Sequence, residues 1–94
     1  MLVLEPQDLK IIGQIIAKYP YKFYAYGSRV KNTHKKFSDL DICIMENINL
    51  SLLENIKEEF IDSDITIKIE LKRWQDLSDD FKSLIQDDLM LLEL

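Results

Sequence analysis

The sequence is poor in the residues that build disulfide frameworks, thiolate metal sites and long loops. Its 94 residues include one cysteine, one histidine, two glycines and two prolines. A single cysteine excludes a disulfide within the chain and argues against a cysteine-based zinc site. The scarcity of glycine and proline predicts few long loops. The histidine, His34, lies among lysines, and we interpret it as a surface loop residue rather than a metal ligand.

The sequence also lacks a long apolar run and an excess of positive charge. No stretch approaches the roughly 20 apolar residues that a membrane helix requires, and residues 1–6 lack the basic region of a signal peptide. We therefore expect a cytoplasmic protein that does not bind membranes. The formal net charge is −5, which disfavours overall attraction to nucleic-acid phosphates. We expect no direct nucleic-acid partner.

What is present is the composition of a small folded domain. Hydrophobic residues make up 47% of the chain and charged residues 31%, as in globular rather than disordered proteins. We expect residues 1–94 to form a single domain with one core, because a chain of this size buries a little over ~60% of its unfolded surface.

The hydrophobic pattern predicts six elements in the order helix, strand, strand, helix, strand, helix. Apolar residues recur at helical spacing in the helices and alternate in the strands. The predicted ranges are about 6–19, 22–26, 39–45, 50–60, 65–71 and 78–89. Strands with one apolar face favour an α/β (α+β) fold, a small mixed β-sheet with helices packed mainly on one face.

A glycine and a serine follow the first predicted strand directly. Gly27 lets a backbone approach a phosphate closely, and free N–H groups at the start of a helix bind anions. Gly27 and Ser28 therefore suggest a phosphate-binding turn. The structural alternative is a plain glycine turn followed by a serine cap.

Two acids open the second predicted strand. Asp39 and Asp41 share one face, with Cα atoms ~6.6 Å apart. At ~5 Å and an effective dielectric of ~20, their carboxylates repel by about 3 kcal/mol. A divalent cation relieves this repulsion, and magnesium prefers carboxylate and phosphate oxygens. The alternative is a pair of solvated acids on an edge strand.

A third acid, Glu70, lies on the polar face of the third predicted strand. If the second and third strands are neighbours, Glu70 can join Asp39 and Asp41 in a metal-binding triad that supports a two-metal clamp. Taken alone, a solvent-facing glutamate beside Thr66 and Lys68 is the better explanation of the pattern.

The segment between the Gly-Ser turn and the acid pair is basic. Residues 28–38 carry four positive charges and no acid, which suits a triphosphate site. The alternative is a solvated basic loop. The basic residues are Arg29, Lys31, Lys35 and Lys36.

These features together resemble a known signature. Residues 26–31 (YGSRVK) and 38–42 (SDLDI) are similar to the paired motif of the minimal nucleotidyltransferases of the DNA polymerase beta superfamily. Residues 63–71 (SDITIKIEL) resemble that family's third-strand motif. The resemblance covers nearly the whole chain and implies a nucleotidyltransferase fold.

The resemblance also implies roles for individual residues. Gly27 and Ser28 would hold the β- and γ-phosphates of ATP, with Arg29 and Lys31 offsetting their charge. Asp39, Asp41 and Glu70 would be both the catalytic residues and the ligands of Mg²⁺.

Two positions depart from the family pattern. Asn32 replaces a frequent glycine after the second basic residue. Glu70 stands where the third acid is usually an aspartate. The added methylene displaces its carboxylate, and an ångström-scale error can cost ~100-fold in rate. The resemblance therefore supports binding of Mg·ATP more strongly than catalysis.

The resemblance further implies a partner. Similar proteins are paired with a helical HEPN-type ribonuclease toxin and act as its antitoxin by adding AMP to a tyrosine. The alternative from another class is a binding module that neutralises such a partner by contact alone. Transfer to a small molecule shares the chemistry but needs an acceptor pocket. The apolar residues 89–94 also suggest an interface, which would form a homodimer or a hetero-oligomer.

Overall fold

The computed structural model describes residues 2–33, 35 and 38–93. The described residues form a four-stranded mixed sheet in the order β3-β2-β1-β4. Strand β1 pairs antiparallel with β2 and β4, while β2 and β3 run parallel. The elements are α1 (Pro6–Ile16), β1 (Phe23–Tyr26), α2 (Ser28–Lys31), β2 (Leu40–Ile44), α3 (Leu50–Asp62), β3 (Ile69–Arg73), α4 (Asp79–Ile85) and β4 (Met90–Leu91), with 3-10 turns at Trp74–Asp76 and Gln86–Asp88.

The main core lies between one face of the sheet and the two longest helices. The predicted alternation of β2 is confirmed, because Leu40, Ile42 and Ile44 are fully buried against α1 and α3. Helix α3 begins after Asn49, whose side-chain oxygen accepts a hydrogen bond from the N–H of Leu52 at 2.8 Å. This cap satisfies a donor that the helix itself leaves free.

The other face of the sheet is only partly covered. Helix α4 packs there through Ile85, which forms a second small cluster with Tyr26 and Cys43. The expected α/β fold is confirmed, and its two longest helices share one face as expected. Leu84 of α4 is 70% exposed and lines the rim of the uncovered part of this face.

Strand β3 begins four residues later than the sequence predicted. Its first residue, Ile69, is the partner of Leu40, the first residue of β2, so residues 65–67 extend beyond the strand that would pair with them. Thr66 instead donates its backbone N–H and its hydroxyl to the carboxylate of Asp8 on α1. Asp8 is 1% exposed and anchors the segment before β3 to the first helix.

Replacing Asp8 with alanine should destabilise the fold by about 2–4 kcal/mol. The change leaves two Thr66 donors unpaired and opens a small gap next to buried side chains. A urea titration should report a lower midpoint with an unchanged slope. The exposed Asp62 at the end of α3 provides the control, since its replacement with alanine should leave the midpoint nearly unchanged. Equal stability of the two variants would contradict the anchoring role.

The apolar C-terminal segment contributes an edge strand to the sheet. The predicted last helix ends at Ile85, and Met90–Leu91 form β4 on β1. Leu92 donates its N–H to Phe23 at 2.8 Å, and its side chain is 7% exposed in the main core. The sequence missed this strand because two residues show no periodicity. The fold accounts for the buried Leu92, whereas Leu91 is 38% exposed and Leu94 lies outside the described residues. An interface through this segment stays a prediction.

Within the described residues, no helix is long and apolar enough to cross a bilayer.

Candidate active site

Two of the predicted site carboxylates lie side by side on the partly covered face. Asp41 of β2 is the direct partner of Glu70 of β3 in the parallel pair, so strands β2 and β3 are neighbours. Asp39 lies immediately before β2, two residues from Asp41, and therefore at the same end of the sheet. The adjacency on which the predicted triad depends is confirmed.

The three carboxylates do not converge on one point. Among residues 2–33, 35 and 38–93, no group of three acids, histidines or cysteines is close enough to hold a metal ion. Asp39 is exposed, and Glu70 forms an ion pair with Lys68 at 3.3 Å. The oxygen donors nevertheless suit magnesium, and the assignment of its ligands stays a prediction.

Asp41 has the most unusual environment of the three acids. Burial raises the pKa of its carboxyl above the ordinary value, and Lys72 opposes this shift through its positive charge. The negative charges of Asp39 and Glu70 raise the pKa further. A carboxylate that is desolvated and beside two other acids gains strongly from a nearby cation.

Gly27 connects the predicted phosphate turn directly to Asp41. Its backbone has φ 84° and ψ −157°, a region that only glycine occupies readily. A Cβ atom built on Gly27 would lie 2.6 Å from Oδ2 of Asp41. The two sequence motifs therefore meet in space, because the missing side chain lets the carboxylate lie against the turn. Ser28, the second residue of the motif, begins α2 directly after this turn.

Arg29 is buried rather than lining the cleft beside the carboxylates. It is 4% exposed. Its Nε donates to the carbonyl of Ser38 at 2.9 Å and its Nη1 to the carbonyl of Val3 at 3.3 Å. These bonds hold the backbone just before Asp39 and β2. The structure thus gives Arg29 a supporting role in positioning the acid pair, while its predicted contact with phosphate is untested.

Asn32 fits the position where the family often has glycine. It caps α2 in the left-handed conformation, with φ 60° and ψ 29°. Asparagine tolerates this conformation better than most residues other than glycine. The departure noted in the sequence therefore preserves the turn.

A cleft of about 310 Å³ opens beside Gly27 and Asp41. This volume is at the lower end of the range of small-molecule sites. Its floor is charged and comes from the sheet and α2, whereas its opposite wall is apolar and comes from α4. The lining residues are Tyr26, Gly27, Lys31, Asp41, Lys72, Phe81, Leu84, Ile85 and Asp88.

Tyr26 brings an unpaired polar atom to this cleft. Its side chain is 3% exposed, and its hydroxyl has no hydrogen-bond partner in the part of the chain that the structure describes. Its ring lies edge-on to Phe81, with 5.9 Å between the ring centroids. Burial, followed by the charge of Asp41, raises the pKa of this hydroxyl, which stays protonated.

Sequence reasoning missed Lys72, Phe81 and Asp88 as site residues. Lys72 could have been found, since it lies two residues after Glu70 and therefore on the same face of β3. Phe81 and Asp88 carry no such signal, because they reach the cleft only through the packing of α4 on the sheet. Lys31 was predicted, and it forms an ion pair with Asp88 at 3.2 Å.

Comparison with known proteins agrees with this geometry. The model of the nucleotidyltransferase domain family matches residues 9–90. The chain belongs to this family. It is also 32% identical over 96 aligned positions to a protein of Haemophilus influenzae named "Probable protein adenylyltransferase MntA", and the alignment covers 98% of this chain and 84% of that protein. The nucleotidyltransferase fold and enzyme class expected from the sequence are thus confirmed. In this nucleotidyltransferase domain, the matched region includes Asp39, Asp41 and Glu70.

Proposed function

We propose that this nucleotidyltransferase transfers AMP from Mg·ATP to a tyrosine hydroxyl of a HEPN-type toxin and thereby acts as its antitoxin. The observation that carries the chemistry is the pairing of Asp41 with Glu70 at one register, with Gly27 against Asp41, beside a cleft. The name of the Haemophilus relative, a protein adenylyltransferase, supports a protein acceptor.

The proposed reaction is a single displacement at the α-phosphorus. The acceptor oxygen bonds to this phosphorus while the bond to the oxygen that bridges to the β-phosphorus breaks, and pyrophosphate leaves. The hydroxyl proton passes to a site carboxylate, for which we assign Glu70. Asp39, Asp41 and Glu70 would hold magnesium, which when bound supplies electrostatic stabilisation of the phosphate charge.

The chain's own residues orient the substrates. Gly27 allows the phosphates to approach the backbone beside Asp41, and Lys31 lies in the cleft near enough to balance their charge. The apolar wall formed by Phe81 and Leu84 can exclude water from the opposite side. The described residues contain no second unit for an acceptor, which favours an acceptor supplied by a second protein.

A contact antitoxin without transfer is the second candidate. The observation that favours it is the ion pair of Glu70, the assigned proton acceptor, with Lys68 at 3.3 Å. In this reading the nucleotidyltransferase fold binds the toxin and blocks its surface. Cytoplasmic location is part of both proposals.

The test is label transfer to a purified HEPN-type toxin. Label on the α-phosphate of ATP should appear on the toxin, label on the γ-phosphate should not, and a chelator should prevent transfer. The toxin's ribonuclease activity should fall in step with labelling. Neutralisation of the toxin without any labelling, in the presence of Mg·ATP, would favour the contact antitoxin instead.

Replacing Asp88 with asparagine should tighten Mg·ATP binding about two- to fivefold. Asp88 forms an ion pair with Lys31 in the free protein. A triphosphate must displace Asp88 before it can contact Lys31. The ion pair is largely exposed, so the gain is limited to that of a surface pair, ~0.2–1 kcal/mol. Calorimetry at fixed ionic strength measures the change. Asp87→Asn on the neighbouring exposed residue is the matched control, and equal affinities in both variants would contradict competition for Lys31.

A further inference from the structure

The positive groups around the carboxylates differ in how they are engaged. Arg29 is buried and donates to backbone carbonyls. Lys31 is paired with Asp88, and Lys68 is paired with Glu70. Lys72 forms no salt bridge with any residue that the structure describes. Among the described residues, Lys72 would therefore break no salt bridge when it contacts a ligand.

Lys72 is also well placed for the cleft. It lies on β3 two residues after Glu70 and opposite Cys43 of β2, so its side chain projects from the same face as Asp41. It lines the cleft together with Gly27 and Asp41. Its Nζ lies 5.8 Å from the centroid of the Phe81 ring, a weak contact that a charged ligand can replace.

We propose that Lys72 is a further substrate-binding residue, whose ammonium contacts the triphosphate from the β3 side of the cleft. This inference deepens the proposed function and rests on it. Lysine is a compact point charge with three donors on a flexible stem, which suits a phosphate chain. With Lys31 on α2, it gives the cleft a cation on each side of Asp41, and both line the cleft.

Two other roles would leave Lys72 outside the binding site. It could act only as a counter-ion of Asp41, or only as a cover for the Phe81 ring. The counter-ion role predicts altered magnesium binding, and the covering role predicts altered stability. Direct contact instead predicts weaker binding of a base-free polyphosphate with unchanged magnesium binding and unchanged stability.

The experiment is calorimetric titration of wild type, Lys72→Gln, Lys72→Arg and Lys10→Gln. The last variant removes the same charge from the exposed side of α1, away from the cleft. The probes are Mg·ATP, magnesium tripolyphosphate and magnesium alone, at fixed pH and ionic strength. We expect Lys72→Gln to weaken both phosphate probes about tenfold or more. Lys72→Arg should bind within about threefold of wild type, because arginine keeps the positive charge at the site. Lys10→Gln should also bind within about threefold of wild type, because Lys10 lies away from the cleft.

The outcomes separate this inference from the proposed function. If wild type binds both phosphate probes and Lys72→Gln binds them as tightly, the role of Lys72 is overturned while the proposed function stands. If Lys72→Gln weakens magnesium binding or lowers the urea midpoint in parallel with its weaker phosphate binding, an indirect role replaces direct contact. If wild type binds neither phosphate probe, the proposed function and this inference fall together.

Discussion

Asp41→Asn is expected to reduce AMP transfer by about 100- to 1000-fold while the protein stays folded. The change removes a negative charge and one metal-binding oxygen from the centre of the proposed site, and losses of single electrostatic contributors in enzymes are of this size. Asparagine has nearly the same shape, and β2 keeps its pairing with β1 and β3, so the fold has no reason to fail. The measurement is the initial rate of label transfer from ATP to the toxin.

The same variant should be more stable than wild type at neutral pH. Burial raises the pKa of Asp41 in the folded protein above its unfolded value, so folding disfavours the charged form. Below the unfolded pKa, near ~3.9, both states are protonated and this cost is absent. It develops as the pH rises through the folded pKa. The neutral asparagine avoids it, so the difference in urea midpoint should be present at pH 7 and should shrink toward pH 3.

Asp62→Asn on the exposed end of α3 is the control for both measurements. It should change neither the transfer rate nor the pH dependence of stability. Transfer by Asp41→Asn at the rate of wild type would contradict the catalytic role proposed for Asp41. Loss of transfer together with loss of folding would leave the protein's stability, and not its chemistry, as the explanation.

The sequence predicted the positions of Gly27, Asp39 and Asp41 better than their surroundings, because these residues belong to local patterns. The alternation of β2 placed Asp39 and Asp41 on one face, and the glycine after β1 indicated a special turn. Both features depend on backbone geometry within a few residues. The Cα pairing of Asp41 with Glu70 is not local, and only the observed strand order establishes it.

The parts that sequence reasoning missed depend on contacts between distant elements. Nothing in residues 65–67 distinguishes them from strand residues. Thr66 nevertheless donates hydrogen bonds to the carboxylate of Asp8 instead of pairing with a neighbouring strand. The interior position of Arg29 depends on carbonyls of Val3 and Ser38. The basic character of this residue suggested a phosphate ligand, whereas its burial follows from tertiary packing that no periodicity encodes.

Gly27→Ala is expected to lower both activity and stability, with the larger effect on activity. The new Cβ would lie 2.6 Å from Oδ2 of Asp41, and the backbone at φ 84° is strained for any residue with a side chain. Strain of this kind costs about 1–3 kcal/mol. Relief requires Asp41 or the turn to move by part of an ångström, and a displacement of that order at a reacting site costs ~100-fold in rate. Transfer rates and urea midpoints measure the two effects.

The other glycine of the chain provides a control whose expected effect on stability has the opposite sign. Gly13 lies in the middle of α1, where alanine is favoured over glycine by roughly 0.5–1 kcal/mol. Gly13→Ala should therefore raise the urea midpoint and leave transfer unchanged. If Gly27→Ala instead behaved like Gly13→Ala, the close approach of the turn to Asp41 would have no role in the site. A loss of transfer in Gly27→Ala that far exceeds its loss of stability would tie the Gly-Ser turn to the position of the Asp41 carboxylate.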